Sequence, residues 1–146
     1  METDLEIPLA VTDRRYFTPR EANDILPLLR GHLDALAESL QRAAAVSGLL
    51  EGAFDAATRV AAMEDLEELQ QAARQAMSQI EYLGAQVRSV SPGLLEFPAF
   101  LNGQTVMLSW HEGDPPRVCW WRPLHAKSHQ RQRLDLTSPG SWEYCC

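Results

Sequence analysis

Residues 18–43 read TPREANDILPLLRGHLDALAESLQRA and contain both a helix start and an apolar helix face. Thr18 and Glu21 form the pattern of a capping box, in which each side chain accepts a hydrogen bond from the other residue's backbone N–H. Pro19 occupies the first helical position, where its missing N–H has no cost. Pro27 removes one hydrogen bond inside the helix, so we expect a kink near the second turn. The stretch predicts a long helix that starts just after Thr18.

Apolar residues in this helix recur at alternating spacings of three and four, the heptad pattern of helices that pack side by side as in a coiled coil. A second series follows a break at residues 47–55 and stops at Gly84, which suits a left-handed helix end. The first series is Leu26, Leu29, Leu33, Leu36, Leu40 and Ala43, and the second is Ala62, Leu66, Leu69, Ala73, Ala76, Ile80 and Leu83. We expect an antiparallel hairpin over residues 18–84. One hairpin cannot cover both faces, so a third layer must come from the C-terminal half, a second subunit, or both.

After residues 91–93, Ser-Pro-Gly, the helical spacing gives way to short extended segments. Residues 102–103, Asn-Gly, form the favoured dipeptide of a tight hairpin turn. Segments 105–110 and 117–122 carry apolar side chains in strand-like patterns, and residues 134–136 indicate one more short strand. These patterns predict a small antiparallel sheet that follows the hairpin.

The predicted fold class is therefore α+β, a long antiparallel helical hairpin packed with a small antiparallel β-sheet. The chain has 146 residues, 45% of them hydrophobic and 23% charged, as is usual for one globular domain. We divide it into a flexible extension at 1–15, one domain at 16–136 and a tail at 137–146. Within the domain, the hairpin takes residues 18–84 and the sheet takes residues 85–136.

Composition and charge narrow the classes of function. No apolar run approaches the ~18 residues that span a bilayer, and Glu2, Asp4 and Glu6 stand where a signal peptide needs positive charge. Three cysteines, two of them adjacent at 145–146, show no disulfide or zinc spacing. We therefore expect a cytoplasmic protein that does not bind membranes. Residues 1–90 hold 15 acidic and 8 basic side chains, which opposes general affinity for nucleic acid there.

Several separate motifs resemble those of the bacterial family called domain of unknown function 2203. They are Arg15-Tyr16-Phe17-Thr18 with Glu21-Ala22-Asn23, then Leu26-Pro27-Leu28-Leu29, Gly93-Leu94-Leu95-Glu96-Phe97-Pro98-Ala99, the strand residues Trp110 and Trp121, and Arg131-Gln132. The resemblance extends over residues 15–134 and implies a fold and a surface of interest, but no reaction.

The chain also departs from that family's pattern. Glu96 replaces an aspartate, Arg122 replaces a histidine, Lys127 and Gln130 replace two glycines, and Arg133 replaces a proline. Any metal or acid–base role that the resemblance would imply for the histidine therefore does not carry over to Arg122.

The candidate site groups polar and aromatic residues of the C-terminal half, with no catalytic residue assigned. Its members are Glu96, Trp110, Trp121, Arg122, Arg131 and Gln132. In a strand, Glu96 points away from its apolar neighbours. A guanidinium of Arg122 or Arg131 could then hold it bidentately while the indoles exclude water. This cluster is typical either of a pocket for a small anionic or aromatic ligand or of an ion pair that orders the sheet.

Other patterns carry weaker hypotheses. His125 and His129 are four residues apart, as metal ligands on one helix face would be, but no third ligand is evident. Residues 64–68 contain four carboxylates and are typical of a solvated helix face. The basic segment 117–133 follows two tryptophans, a combination that binds single strands, although the acidic N-terminal half opposes it.

We therefore expect a non-catalytic interaction module whose hairpin mediates self-association, as a homo-oligomer, or binds a protein partner. The first alternative is a small-ligand-binding protein or enzyme that uses the candidate site, and the second is weak nucleic-acid binding through residues 117–133. No nucleotide-binding, hydrolase or metalloprotease motif occurs, so the sequence predicts no cofactor and no metal.

Overall fold

The computed structural model describes residues 16–52, 55–127 and 129–134. It contains two helices, α1 (Pro19–Glu51) and α2 (Ala56–Tyr82), followed by five strands. The strands are β1 (Gln86–Ser89), β2 (Leu94–Leu101), β3 (Gln104–His111), β4 (Trp120–Pro123) and β5 (Gln132–Arg133). They form one antiparallel sheet in which each strand lies beside its neighbour in sequence. The predicted α+β fold is confirmed. The predicted extension at 1–15 and tail at 137–146 lie outside the described residues, as does Leu136.

Helix α1 begins with the predicted capping box. Thr18 Oγ1 accepts a hydrogen bond from the Glu21 N–H at 3.2 Å, and the Glu21 carboxylate accepts one from the Thr18 N–H at 3.0 Å. These bonds satisfy donors that the first turn of a helix leaves without partners. Phe17 donates its N–H to the carbonyl of Pro98 at 2.7 Å, which attaches the start of α1 to strand β2.

The break between the helices is shorter than the sequence predicted. Helix α1 continues through Gly48 to Glu51, and Gly52 caps it by donating its N–H to the carbonyl of Leu49 at 3.1 Å. A glycine inside a helix costs only about 1 kcal/mol relative to alanine, which is too little to end a helix already propagating. Helix α2 then starts at its cap Asp55, whose carboxylate accepts from the Thr58 N–H at 2.7 Å. The predicted left-handed stop is confirmed, because Gly84 has a φ of 98°.

The sheet supplies the third layer that the heptad pattern required, but it covers only part of the hairpin. Leu26, Leu29 and Ile80 are fully buried and share one apolar core with Leu95 and other residues of β2 and β3. Farther from the sheet apolar side chains of α1 are more exposed: Leu40 of the heptad series is 44% exposed, and Leu49, outside that series, is 70% exposed. The hairpin therefore has a covered proximal half and an uncovered distal half.

The strands differ from prediction at the edges of the sheet. The turn at 102–103 is confirmed, since Asn102 and Gly103 have φ values of 54° and 78°. Strand β1 was not predicted, because four residues with Val87 as their single apolar side chain give almost no alternating signal. Strand β4 starts at Trp120 rather than at residue 117. Before it, Val118 donates its N–H to the Asn23 side chain of α1 instead of to a neighbouring strand.

Candidate functional site

The pleat of the sheet separates the six candidate residues onto two faces. Leu95 pairs across the ladder with Trp110, whereas its neighbour Glu96 pairs with Ser109. Cross-strand partners share a face and successive residues alternate, so Trp110 lies on the helix side and Glu96 on the opposite side. Trp121 belongs to the same buried core as Trp110. The prediction that these two indoles wall off Glu96 is therefore wrong.

The face opposite the helices, here the outer face, holds a buried ion pair. Glu96 is fully buried and Arg122 is 6% exposed. Arg122 donates from Nε to Glu96 Oε2 at 2.6 Å and from Nη2 to Oε1 at 2.7 Å, which is the predicted bidentate arrangement. Hydrogen bonding to Glu96 raises the pKa of the Arg122 guanidinium. The half-exposed Arg88 adds a second cation, with its Nε 3.5 Å from Glu96 Oε1.

Arg122 also holds the turn that follows β4. Its Nη1 donates to the carbonyls of Pro123, Leu124 and Ala126 at 3.2, 3.3 and 2.7 Å. Each nitrogen of the guanidinium therefore has an acceptor within the chain, which is the condition under which a buried charge is tolerated. This geometry favours the interpretation of Glu96 and Arg122 as an ion pair that orders the sheet.

Arg131 takes a different partner from the one that the sequence suggested. Its Nη1 and Nη2 donate to the two carboxylate oxygens of Asp114 at 2.7 and 2.9 Å, and its Cζ lies 4.4 Å from the ring centroid of Trp120. Asp114 also accepts the backbone N–H of His111 at 2.9 Å. Burial raises the pKa of Asp114, but the hydrogen bonds and charges of Arg131 and His111 together lower it more. Asp114 was missed because its sequence context, before two prolines, reads only as a turn.

Two polar atoms complete the outer face. Within the described part of the chain, Ser109 Oγ and His111 Nε2 are buried without a hydrogen-bond partner. Burial lowers the pKa of His111, and the charge of Arg131 lowers it further, while Asp114 and Glu96 act in the opposite direction. The imidazole is therefore held neutral to a lower pH than an exposed histidine would be.

The remaining candidates lie apart from this cluster. Gln132 is exposed in β5, where it pairs with Trp121 across the ladder. His125 and His129 lie in turns, so the argument that places them on one helix face does not apply. Among the described residues, no three His, Cys, Asp or Glu side chains are grouped so that they could hold a metal ion. In the basic segment, the charges of Arg122 and Arg131 are already paired with carboxylates, which weakens the case for phosphate binding.

A separate concave surface lies between the far ends of α1 and α2. This distal groove has a volume of about 830 Å³. Its apolar lining is Leu50, Val60, Met63 and Leu66, and its polar lining is Glu51, Arg59, Glu64, Glu67 and Gln70. Val60 and Met63 are 54% and 55% exposed. Of these four apolar residues Leu66 belongs to the predicted heptad series, whereas Leu50, Val60 and Met63 lie outside it.

Comparisons with known proteins identify a family and no activity. The family model described as "Uncharacterized conserved protein (DUF2203)" matches residues 15–134. No curated protein and no solved structure matches the chain. Neither described helix carries an apolar stretch long enough to span a bilayer. Because the match covers most of the chain, from the capping box of α1 to the end of β5, the protein belongs to the DUF2203 family.

Proposed function

We propose that this protein is a self-association module in which the distal halves of two hairpins pack together as a four-helix bundle. The observation that carries the proposal is the exposure of Val60 and Met63, at 54% and 55%, in a groove that Leu50 of the neighbouring helix also lines. Single exposed apolar residues are ordinary on a protein surface, whereas a contiguous patch around a groove is typical of an interface. Burying each such side chain contributes up to about 1.5–3 kcal/mol.

A second copy of the chain fits the charges around the distal groove. The lining carries one cation, Arg59, together with Glu51, Glu64 and Glu67. In a two-fold symmetric contact every pairing occurs twice: if residue i of the first copy contacts residue j of the second, then residue j of the first copy contacts residue i of the second. Arg59 of each copy can therefore face a glutamate of the other, so a surface of mixed sign complements itself. A foreign partner with a strongly acidic face would match this lining less well, because it would meet three glutamates and one arginine.

The expected interface is small. Helix α1 beyond Leu40 and the start of α2 up to Leu66 each extend for about 16–18 Å at 1.5 Å per residue. A contact of this length between two helix pairs lies at the lower end of specific interfaces. We therefore expect a dissociation constant on the order of micromolar, and a dimer that dissociates on dilution.

Sedimentation velocity over a range of concentrations tests the proposal. We expect the wild-type chain to be dimeric at about 100 µM and Met63→Glu to be monomeric, because a charge inside the groove would lose its water on dimerisation. Leu28→Glu is the matched control, since Leu28 is 54% exposed on the same hairpin outside the groove. A wild-type monomer at every concentration would refute the proposal, as would equal dissociation of Leu28→Glu.

A charge exchange distinguishes a symmetric contact from any other. Arg59→Glu alone, and Glu64→Arg with Glu67→Arg in one chain, should each weaken the homodimer through like-charge contacts. A mixture of the two variants should form heterodimers, because a two-fold contact then places opposite charges at both ends. Failure of the mixture to associate more strongly than either variant alone would contradict the symmetric arrangement.

A further inference from the structure

A second cavity lies at the sheet end of the hairpin, where α1 meets the turn between β1 and β2 and the end of β3. This Trp110 cavity has a volume of about 210 Å³. Its lining includes Arg30, Leu33, Asp34, Ser91, Trp110 and Glu112. None of these residues belongs to the distal groove or to the buried ion pair, so the cavity is an independent feature.

The positive group of the cavity lies near the Trp110 indole and retains its donors. Arg30 and Asp34 are four residues apart on α1, so both project from the same side of the helix. The Arg30 Cζ lies 5.3 Å from the ring centroid of Trp110, within the range of a cation–π contact. Within the described residues, no carboxylate forms an ion pair with Arg30. Its N–H groups therefore remain available to an anionic group in the cavity.

The negative groups come from two different elements. Glu112 accepts a hydrogen bond from the Gly93 N–H at 2.7 Å, which fixes the orientation of its carboxylate. Asp34 forms no hydrogen bond or ion pair with another residue that the structure describes. Gly93 brings the turn close to α1, since a Cβ there would lie 2.8 Å from Leu33 Cδ2. The wall that carries Glu112 is thus held tightly against the helix that carries Arg30 and Asp34.

We infer that the Trp110 cavity binds a small zwitterion of the amino-acid class. The ligand's carboxylate would accept hydrogen bonds from Arg30, and its ammonium group would donate to Asp34 and Glu112. Two carboxylates beside one guanidinium oppose a simple anion, and the guanidinium opposes a simple cation. The volume is below the 300–1,000 Å³ typical of pockets for larger ligands, which restricts the ligand to about the size of an amino acid.

The test titrates the full chain with each standard L-amino acid at up to about 10 mM, with ethylamine and propionate as singly charged controls. The readouts are the indole N–H resonance of Trp110 and the midpoint of thermal unfolding, which rises when a ligand binds the native state. We expect saturable shifts with at least one amino acid and none with the two controls. The inference is overturned if no amino acid produces a shift, or if ethylamine or propionate binds equally well.

Variants then assign the binding to the cavity. Arg30→Gln and Asp34→Asn should each weaken binding by about tenfold or more, because each removes one charge-assisted contact. Arg42→Gln is the matched control, because Arg42 lies on the same helix outside the cavity and pairs with Glu38. Wild-type affinity in both cavity variants would overturn the inference. Met63→Glu should bind normally, so this result and that of the self-association test are separable.

Discussion

The buried pair of Glu96 and Arg122 allows a quantitative test of how the sheet is held together. Arg122→Met leaves the fully buried Glu96 carboxylate with the half-exposed Arg88 as its remaining ion-pair partner among the described residues, and it removes donors from three carbonyl groups. Removing one partner of a buried pair costs about 3–5 kcal/mol. Because a small domain has roughly 5–15 kcal/mol of stability in total, this substitution should destabilise the protein severely.

The reciprocal substitution, Glu96→Met, should lower the free energy of unfolding by less than Arg122→Met does. In Glu96→Met, the Arg122 guanidinium keeps its three carbonyl acceptors, so its charge remains partly solvated by the backbone. We expect a cost of about 2–4 kcal/mol. The double variant removes both charges and replaces them with apolar side chains of similar length. It should lie within about 2 kcal/mol of the wild type, since such replacements are often close to neutral.

Urea unfolding followed by circular dichroism, at one fixed protein concentration, measures the free energies of unfolding of the wild type, the two single variants and the double variant. The expected coupling between the two positions is about 3 kcal/mol or more, well above the value for a surface pair. Arg88→Met is the control, because an ion pair with a half-exposed partner should contribute less than about 1 kcal/mol. A coupling below about 1 kcal/mol would refute the reasoning, since it would mean that the two charges are independently solvated.

Three further predictions concern stability. Burial lowers the pKa of His111 below its ordinary 6.5. As the pH falls below 6.5, the unfolded state therefore gains a proton that the folded state does not, and the free energy of unfolding should decrease from its value above pH 6.5. Urea titrations across this range should show a smaller decline in His111→Gln. Gly93→Ala should cost about 1–3 kcal/mol in the same assay, because its Cβ would lie 2.8 Å from Leu33 Cδ2. Ser109→Ala should be neutral or stabilising by up to about 1 kcal/mol, since it removes a buried hydroxyl without a partner among the described residues; a clear loss of stability would contradict this.

The features predicted correctly from the sequence depend on residues close together in the chain. The capping box joins Thr18 to a residue three positions away, and the tight turn depends on two consecutive residues with positive φ. The heptad spacing is a repeated local pattern that predicts helix pairing without knowledge of the partner. The length of α1 was underestimated because the break was placed by glycine alone, and Gly48 costs the helix too little to end it.

One feature of the candidate site, the face of the sheet on which Trp110 lies, could be predicted from the sequence. A two-residue turn at 102–103 pairs residue 101 with residue 104, and counting back along both strands pairs Leu95 with Trp110. The face of Trp110 therefore followed from the sequence once the turn was known. The choice between Arg122 and Arg131 did not, because the register of β4 depends on a longer connection that Asn23 of α1 helps to hold.

By itself, the sequence determined the fold class, the helix start, the central hairpin turn and the amphipathic faces of both helices, because each of these arises from interactions within a few residues. Only the tertiary structure decided which parts of those faces are covered. The sheet has five short strands, whereas the first helix of the hairpin has 33 residues, so the sheet covers only part of the hairpin's length. The heptad pattern continues in the sequence beyond the point where the sheet stops burying it. The distal groove lies where the helices extend past the sheet, and the Trp110 cavity lies where the turn between β1 and β2 packs against α1.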